Sequence, residues 1–114
     1  HVPVELDVKA MQRAARLLVG EHDFATFGQP PQGHATVRRV LAANWSGEPP
    51  WLTFDIEANA FLYRMVRSIV GTLLEVGKGK MIVNEFGAVL AACDRSQAGP
   101  SVSPRGLCLV EVKY

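Results

Sequence analysis

The chain has 114 residues, 48% of them hydrophobic and 20% charged, and twelve Lys and Arg against eleven Asp and Glu leave a net charge of +1. That length makes one domain able to bury roughly 65% of its unfolded surface, and the composition excludes a disordered chain. The charge balance excludes a polybasic tail, so any nucleic-acid surface has to come from where basic residues are placed.

Charge or glycine interrupts every apolar stretch before about 18 residues, too soon for a membrane span. The chain opens on His1-Val2-Pro3 instead of methionine and carries no signal peptide, which reads as an interior piece of a longer protein. Its two cysteines, Cys93 and Cys108, have no CxxC companion. They are expected as reduced, buried thiols of a cytoplasmic protein, not as a metal site or a disulfide.

Asp7 is an N-cap residue, and Val8, Met11, Ala15 and Leu18 follow at steps of three and four, so a helix is expected over 8–19 with Gly20 as its stop. Residues 21–35 hold two glycines and Pro30-Pro31 and read as an irregular loop with a short turn near His22-Asp23-Phe24. Two strands come next. Val37, Arg39, Leu41, Ala43 and Trp45 alternate with Arg38, Val40, Ala42 and Asn44. Beyond the turn at 46–50, Leu52, Phe54, Ile56 and Ala58 alternate with Thr53, Asp55 and Glu57. The pair reads as a hairpin with one buried and one polar face.

Asn59 is then expected to cap a long helix reaching Val76, with Phe61, Met65, Ile69 and Leu73 as its apolar stripe. Gly77 and Gly79 end it, with Lys78 and Lys80 near the negative end of its dipole. A shorter helix from Asn84 carries Phe86, Leu90 and Cys93 inward, residues 94–105 form a loop, and 107–114 close the chain as a strand. The expected fold class is α+β, an antiparallel sheet with helices packed on one face.

Arg64, Arg67 and Gly71 fall at helical steps of three and four and so share a face. Spacing alone leaves two readings: arginines with packed stems and solvated heads, which it favours, or guanidinium groups aimed at a ligand-facing site. His22-Asp23 has no accompanying nucleophile, and a turn or capping role fits it better than a catalytic dyad. His1 and His34 lack metal-ligand spacing. Arg38 and Arg39 must point to opposite faces of their strand. No phosphate-binding glycine loop and no serine or cysteine nucleophile motif occurs.

Several ordered blocks carry a resemblance that runs almost end to end. They are Leu6-Asp7 with Met11, Gly20 to Phe24 with Phe27, Asn59-Ala60-Phe61-Leu62 with Met65-Val66-Arg67, and Ile69 through Lys80. Asp94-Arg95, Ala98-Gly99-Pro100, Gly106-Leu107, Val112 and Tyr114 complete the set. Together they resemble the C-terminal half of the tRNA pseudouridine synthase A (TruA) family.

The resemblance implies that Arg67 pairs with the catalytic aspartate, favouring its ionised form and orienting it through a planar fork. It implies that Leu107 packs on the target base; an ordinary strand core position is the other reading of that residue. The implied reaction isomerises a flipped-out uridine of the tRNA anticodon stem-loop to pseudouridine, with no cofactor and no metal. The implied partners are tRNA, the N-terminal half of the same protein and a second copy in a homodimer.

Arg64, Lys78, Lys80 and Arg105 become phosphate contacts on this reading, although solvated surface is the better account of any one of them alone. The family's aspartate lies in an Arg-Thr-Asp-Ala-Gly segment that this chain lacks, so the chain by itself is expected to be inactive. Tyr63-Arg64, Ser68, Val102-Ser103-Pro104 and Cys108 depart from the family pattern and leave Arg67, Gly71 and Leu107 untouched. A non-catalytic RNA-binding or dimerisation module on the same fold is the alternative from another class. A purely structural α+β domain is a third.

Overall fold

The computed structural model describes residues 6–29, 35–48, 51–62 and 64–99, and the backbone of 109–113. In chain order the elements are α1 (Val8–Arg16), β1 (Gly20–Asp23), β2 (Val37–Glu48), β3 (Trp51–Ala58), α2 (Met65–Gly77), α3 (Val83–Ala92), a 3₁₀ turn (Arg95–Gln97) and β4 (Leu109–Lys113). The sheet runs β1-β2-β3-β4. Its first three strands are antiparallel, and β4 adds to the far side of β3 in parallel. The α+β class is as expected, and so is the closing strand.

Asp7 does cap α1: its carboxylate accepts the Ala10 N–H at 3.0 Å. α1 ends at Arg16, earlier than expected, and Leu17 to Val19 continue only as a turn. Met11, Ala14, Ala15 and Leu18 are fully buried, so the apolar spacing marks the buried stripe correctly past the helix end. α2 packs against α1. The Asp7 N–H donates to the Gly77 carbonyl at 2.8 Å, and a Cβ on Gly77 would run into the Met11 thioether and the Leu6 side chain. Glycine at 77 lets the two helices approach closely.

The core lies between the helices and one face of the sheet. Met65, Ile69 and Leu73 of α2 are fully buried beside Phe54, Leu52 and Ile56 of β3, with Phe27 and Phe86 stacked 5.8 Å apart. Each such aliphatic side chain contributes about 1.5–3 kcal/mol by leaving water.

β3 alternates as expected: Leu52, Phe54 and Ile56 face in, while Thr53 and Asp55 are half-buried and Glu57 is exposed. β2 does not. Its register with β3 shifts between Val40 and Ala42, leaving Leu41 as the extra residue of a bulge. The bulge exchanges the faces. Before it Val40 is buried while Val37, Arg39 and Leu41 are exposed; after it Ala43 and Trp45 are the buried pair. The expectation that all five odd positions share one face is therefore corrected at Val37, Arg39 and Leu41.

Three further corrections follow. Residues 21–23, expected as loop, pair together with Gly20, expected only as a helix stop, against Val37–Val40 as β1. Asn59 caps no helix, because its backbone N–H and side-chain oxygen bond the Arg39 carbonyl and N–H at 3.0 and 2.9 Å. α2 begins six residues later, since Arg64 has left-handed backbone (φ 61°), which a right-handed helix cannot incorporate. Finally, α3 starts at Val83, and Cys93 lies beyond its end, exposed and unbonded to another cysteine. Cys108 lies outside the described residues.

Candidate functional site

The two arginines singled out by spacing sit at the N-terminal end of α2. Arg64 is the residue immediately before the helix and Arg67 stands in its first turn; both are exposed, whereas Gly71 is buried. Sharing one helical face is accordingly only half correct, because Arg64 lies outside the helix. The Ser68 N–H reaches back to the Arg64 carbonyl at 3.0 Å, so the left-handed residue is tied into the helix start. A non-glycine residue with positive φ is uncommon and costs roughly 1–3 kcal/mol unless its surroundings impose it.

The charge in the first turn of α2 is basic. The first turn, Met65-Val66-Arg67-Ser68, carries no acid and opens on the positive end of the helix dipole. Placing two guanidinium groups there opposes helix stability, while the same arrangement attracts an anion. A carboxylate or a phosphate brought to this end would meet the positive end of the dipole and a guanidinium group together.

Lys78 and Lys80 lie at the opposite end of α2, about 16 Å from Arg67 along the axis at 1.5 Å per residue. Lys78 is half-buried and pairs with Glu75 at 3.5 Å, whereas Lys80 is exposed. The four basic candidates described therefore form two separate pairs. Arg105 and Leu107 lie outside the described residues.

The carboxylates that might stand in for a nucleophile are mostly committed elsewhere. Asp7 caps α1. Asp23 accepts from the Ala25 N–H at 3.0 Å and from the Thr36 hydroxyl, the turn role expected of it. Asp94 accepts from the Ser96 N–H and hydroxyl at 3.0 and 2.8 Å. Those bonds from Ser96 hold its carboxyl below the usual range. Asp55 is half-buried on β3.

His22 bonds the Val19 carbonyl at 3.1 Å and borders an open cleft of about 390 Å³ with Leu17, Asp23, Leu90 and Cys93. Desolvation, then the Asp23 charge and a hydrogen bond to Asp23, push the Cys93 thiol above its usual pKa, the wrong direction for a nucleophile. Among the described residues no three His, Cys, Asp or Glu side chains are grouped to hold a metal, and no helix is long and apolar enough to cross a membrane.

Arg38 and Arg39 divide between the faces of β2 as expected. Arg39 is exposed, 3.9 Å from Glu21, and half-buried Arg38 donates to the carbonyls of Val37 and Ala35 at 2.8 and 3.2 Å. Sequence reading passed over two buried hydroxyls, Thr26 and Thr72, that hold the turn after α3. A lone threonine inside a helix's apolar face, as at 72, was the available signal.

The blocks that carry the resemblance meet in space around this scaffold. Leu6, Asp7 and Met11 close on Gly77, and Gly99 closes on Thr72. Comparison with known proteins agrees over nearly the whole chain. A family model described as tRNA pseudouridine synthase matches residues 14–114. The chain is 48% identical over 117 residues to tRNA pseudouridine synthase A of Brevibacillus brevis, covering 100% of this chain and 47% of that protein. It is 45% identical over 115 residues to the protein of that name from Syntrophotalea carbinolica, covering 100% and 46%. It thus spans a little under half the length of these relatives, and by this match the chain belongs to the tRNA pseudouridine synthase A (TruA) family.

Proposed function

We propose that this chain is the C-terminal half of a tRNA pseudouridine synthase acting in the anticodon stem-loop, and that Arg67 is the residue it supplies to the reacting centre. The observation that carries the reading is the family match over residues 14–114, together with the exposure of Arg67 in the first turn of α2. An anion brought to that end of the helix is favoured by the dipole.

On this reading the anion at Arg67 is the aspartate of the other half of the protein. The guanidinium keeps that carboxylate ionised and fixes its plane. The carboxylate attacks C1′ of the flipped-out uridine as the N1–C1′ bond breaks, the bonding pair leaves with the base, and the base turns. C5 then bonds C1′ and expels the carboxylate, the C5 proton leaves to solvent, and N1 takes up a proton. Leu107 packs on the base. Arg64, Lys78, Lys80 and Arg105 meet backbone phosphates, Arg64 near the reacting centre and the lysines at a separate point of the same RNA. The full-length protein works as a homodimer in the cytoplasm, and this half alone lacks the nucleophile and does not turn over.

The test uses the full-length parent and transcript tRNA tritiated at uridine C5. Release from anticodon-stem uridines, abolished by Arg67→Ala with tRNA binding retained, is the expected result. Binding of tRNA with no release by the unaltered protein would replace this reading with a non-catalytic RNA-binding module. Turnover by the isolated chain would refute the division of the active site between halves.

A further inference from the structure

The 3₁₀ turn Arg95–Gln97 is held at both ends by buried threonine hydroxyls from different parts of the molecule. At its start the Asp94 N–H donates to the Thr26 oxygen at 3.1 Å, while that hydroxyl donates to the Val89 carbonyl at 2.8 Å. Beyond its end the Gly99 N–H donates to the Thr72 oxygen at 2.9 Å, and the Thr72 hydroxyl donates to the Ser68 carbonyl at 2.8 Å. Thr26 and Thr72 are both essentially inaccessible to water. Gly99 fits closely: a Cβ there would stand 3.2 Å from the Thr72 Cα and 3.1 Å from the Glu75 Cγ.

The two threonines differ in what they pull on. Thr26 acts on the end of α3. Thr72 acts on the carbonyl of Ser68, the residue after Arg67. A threonine that bonds back four residues tilts the carbonyl it reaches and bends the helix slightly. Here the donor on its other side is Gly99, so one hydroxyl links the docked backbone to the first turn of α2.

We propose that Thr72 is a positioning residue for Arg67: by bonding the Ser68 carbonyl and the Gly99 N–H together, it sets the direction from which the guanidinium leaves the helix. The inference rests on the role proposed above for Arg67. It needs no contact between Thr72 and RNA, since a displacement of about 1 Å in a reacting group suffices to slow catalysis up to a hundredfold.

The test compares two matched substitutions in the full-length protein, Thr72→Val and Thr26→Val. Each exchanges a buried hydroxyl for a methyl of nearly the same shape and breaks a bridge between two backbone groups. The measured quantities are kcat and KM for tritium release, tRNA affinity and Tm. Thr72→Val is expected to lower kcat about tenfold, with KM and tRNA affinity unchanged and Thr72→Ser restoring most of the rate. Thr26→Val is expected to lower Tm comparably and leave kcat within about twofold of the unaltered protein, because it does not touch α2.

Gly99→Ala, which displaces the docked segment with the hydroxyl intact, should reproduce the kcat defect and covers the case in which Thr72→Val does not fold. Equal losses of kcat in the two valine variants would overturn the proposal, as would a serine variant as slow as the valine one or a Thr72→Val enzyme of undiminished kcat. Absence of release from the unaltered protein is a different failure, visible before any variant is made; it refutes the parent reading and this role with it.

Discussion

The two ends of α2 carry basic pairs of opposite meaning. At the C-terminal end Lys78 and Lys80 complement the dipole, Lys78 is half-buried against Glu75, and Gly77 is pressed onto Met11 of α1. Everything there has a stabilising account. At the N-terminal end Arg64 and Arg67 oppose the dipole, and Arg64 is held in a left-handed conformation. The dipole does not favour that placement. The difference teaches that charge alone is a poor guide to a site, and that charge placed against its local electrostatic preference is a better one.

Breaking the arginine end should cost the most activity. Arg67→Ala in the full-length protein is expected to lower kcat by about 10²–10³-fold, the scale for loss of an electrostatic group at a reacting centre, with Tm little changed. Arg67→Lys should recover only part of the rate, because an ammonium group lacks the fork. A kcat near the original in either variant would erase the contrast between the ends.

The glycine end should respond in stability. Gly77→Ala places a methyl against Met11 and is expected to destabilise by about 1–3 kcal/mol, read from urea denaturation. The kcat of the protein that remains folded should not change. A smaller step sharpens the comparison through salt: replacing Arg64, Lys78 or Lys80 by Ala should lower the salt dependence of tRNA binding by about one phosphate contact each if the residue meets RNA. For Lys78, loss of the Glu75 pair should cost no more than about 0.5 kcal/mol. An unchanged salt slope for both lysines would leave that end purely structural.

The smallest effect expected is at Asp94. Hydrogen bonds from Ser96 depress its pKa in the folded state. Its contribution is therefore present above the ordinary carboxylate value of about 4 and is lost as pH falls through the lower folded value. Acid titration of Asp94→Asn against the unaltered chain should diverge only in that window.

How much of this was legible in the sequence depends on whether the determinant was local. The alternation in β3 and the buried spacing of α1 are set by each segment's own residues and read correctly. The bulge at Leu41 is a property of pairing with β3, so the run of odd apolar positions in β2 pointed to the wrong face before residue 42. β1 has no apolar alternation in Gly20-Glu21-His22-Asp23 and exists because β2 offers it a partner. Asn59 has the chemistry of a helix cap, but the backbone of Arg39 claims both its groups. Of the candidate site, spacing marked the segment that holds Arg64 and Arg67 but missed the helix start that separates them. The hydroxyl bridge from Thr72 to Gly99 spans 27 residues and was not visible.

β4 lies parallel to β3 along Trp51–Asp55, so the ribosome must make all of residues 59–108 between the two. At about 5–20 residues per second that takes roughly 3–10 s. For that interval the β3 edge, with Trp51 at its tip, offers unpaired backbone to any neighbouring chain. Nascent protein is accordingly exposed to misassembly after its hairpin has formed and before β4 emerges, a window in which a chaperone has something to hold.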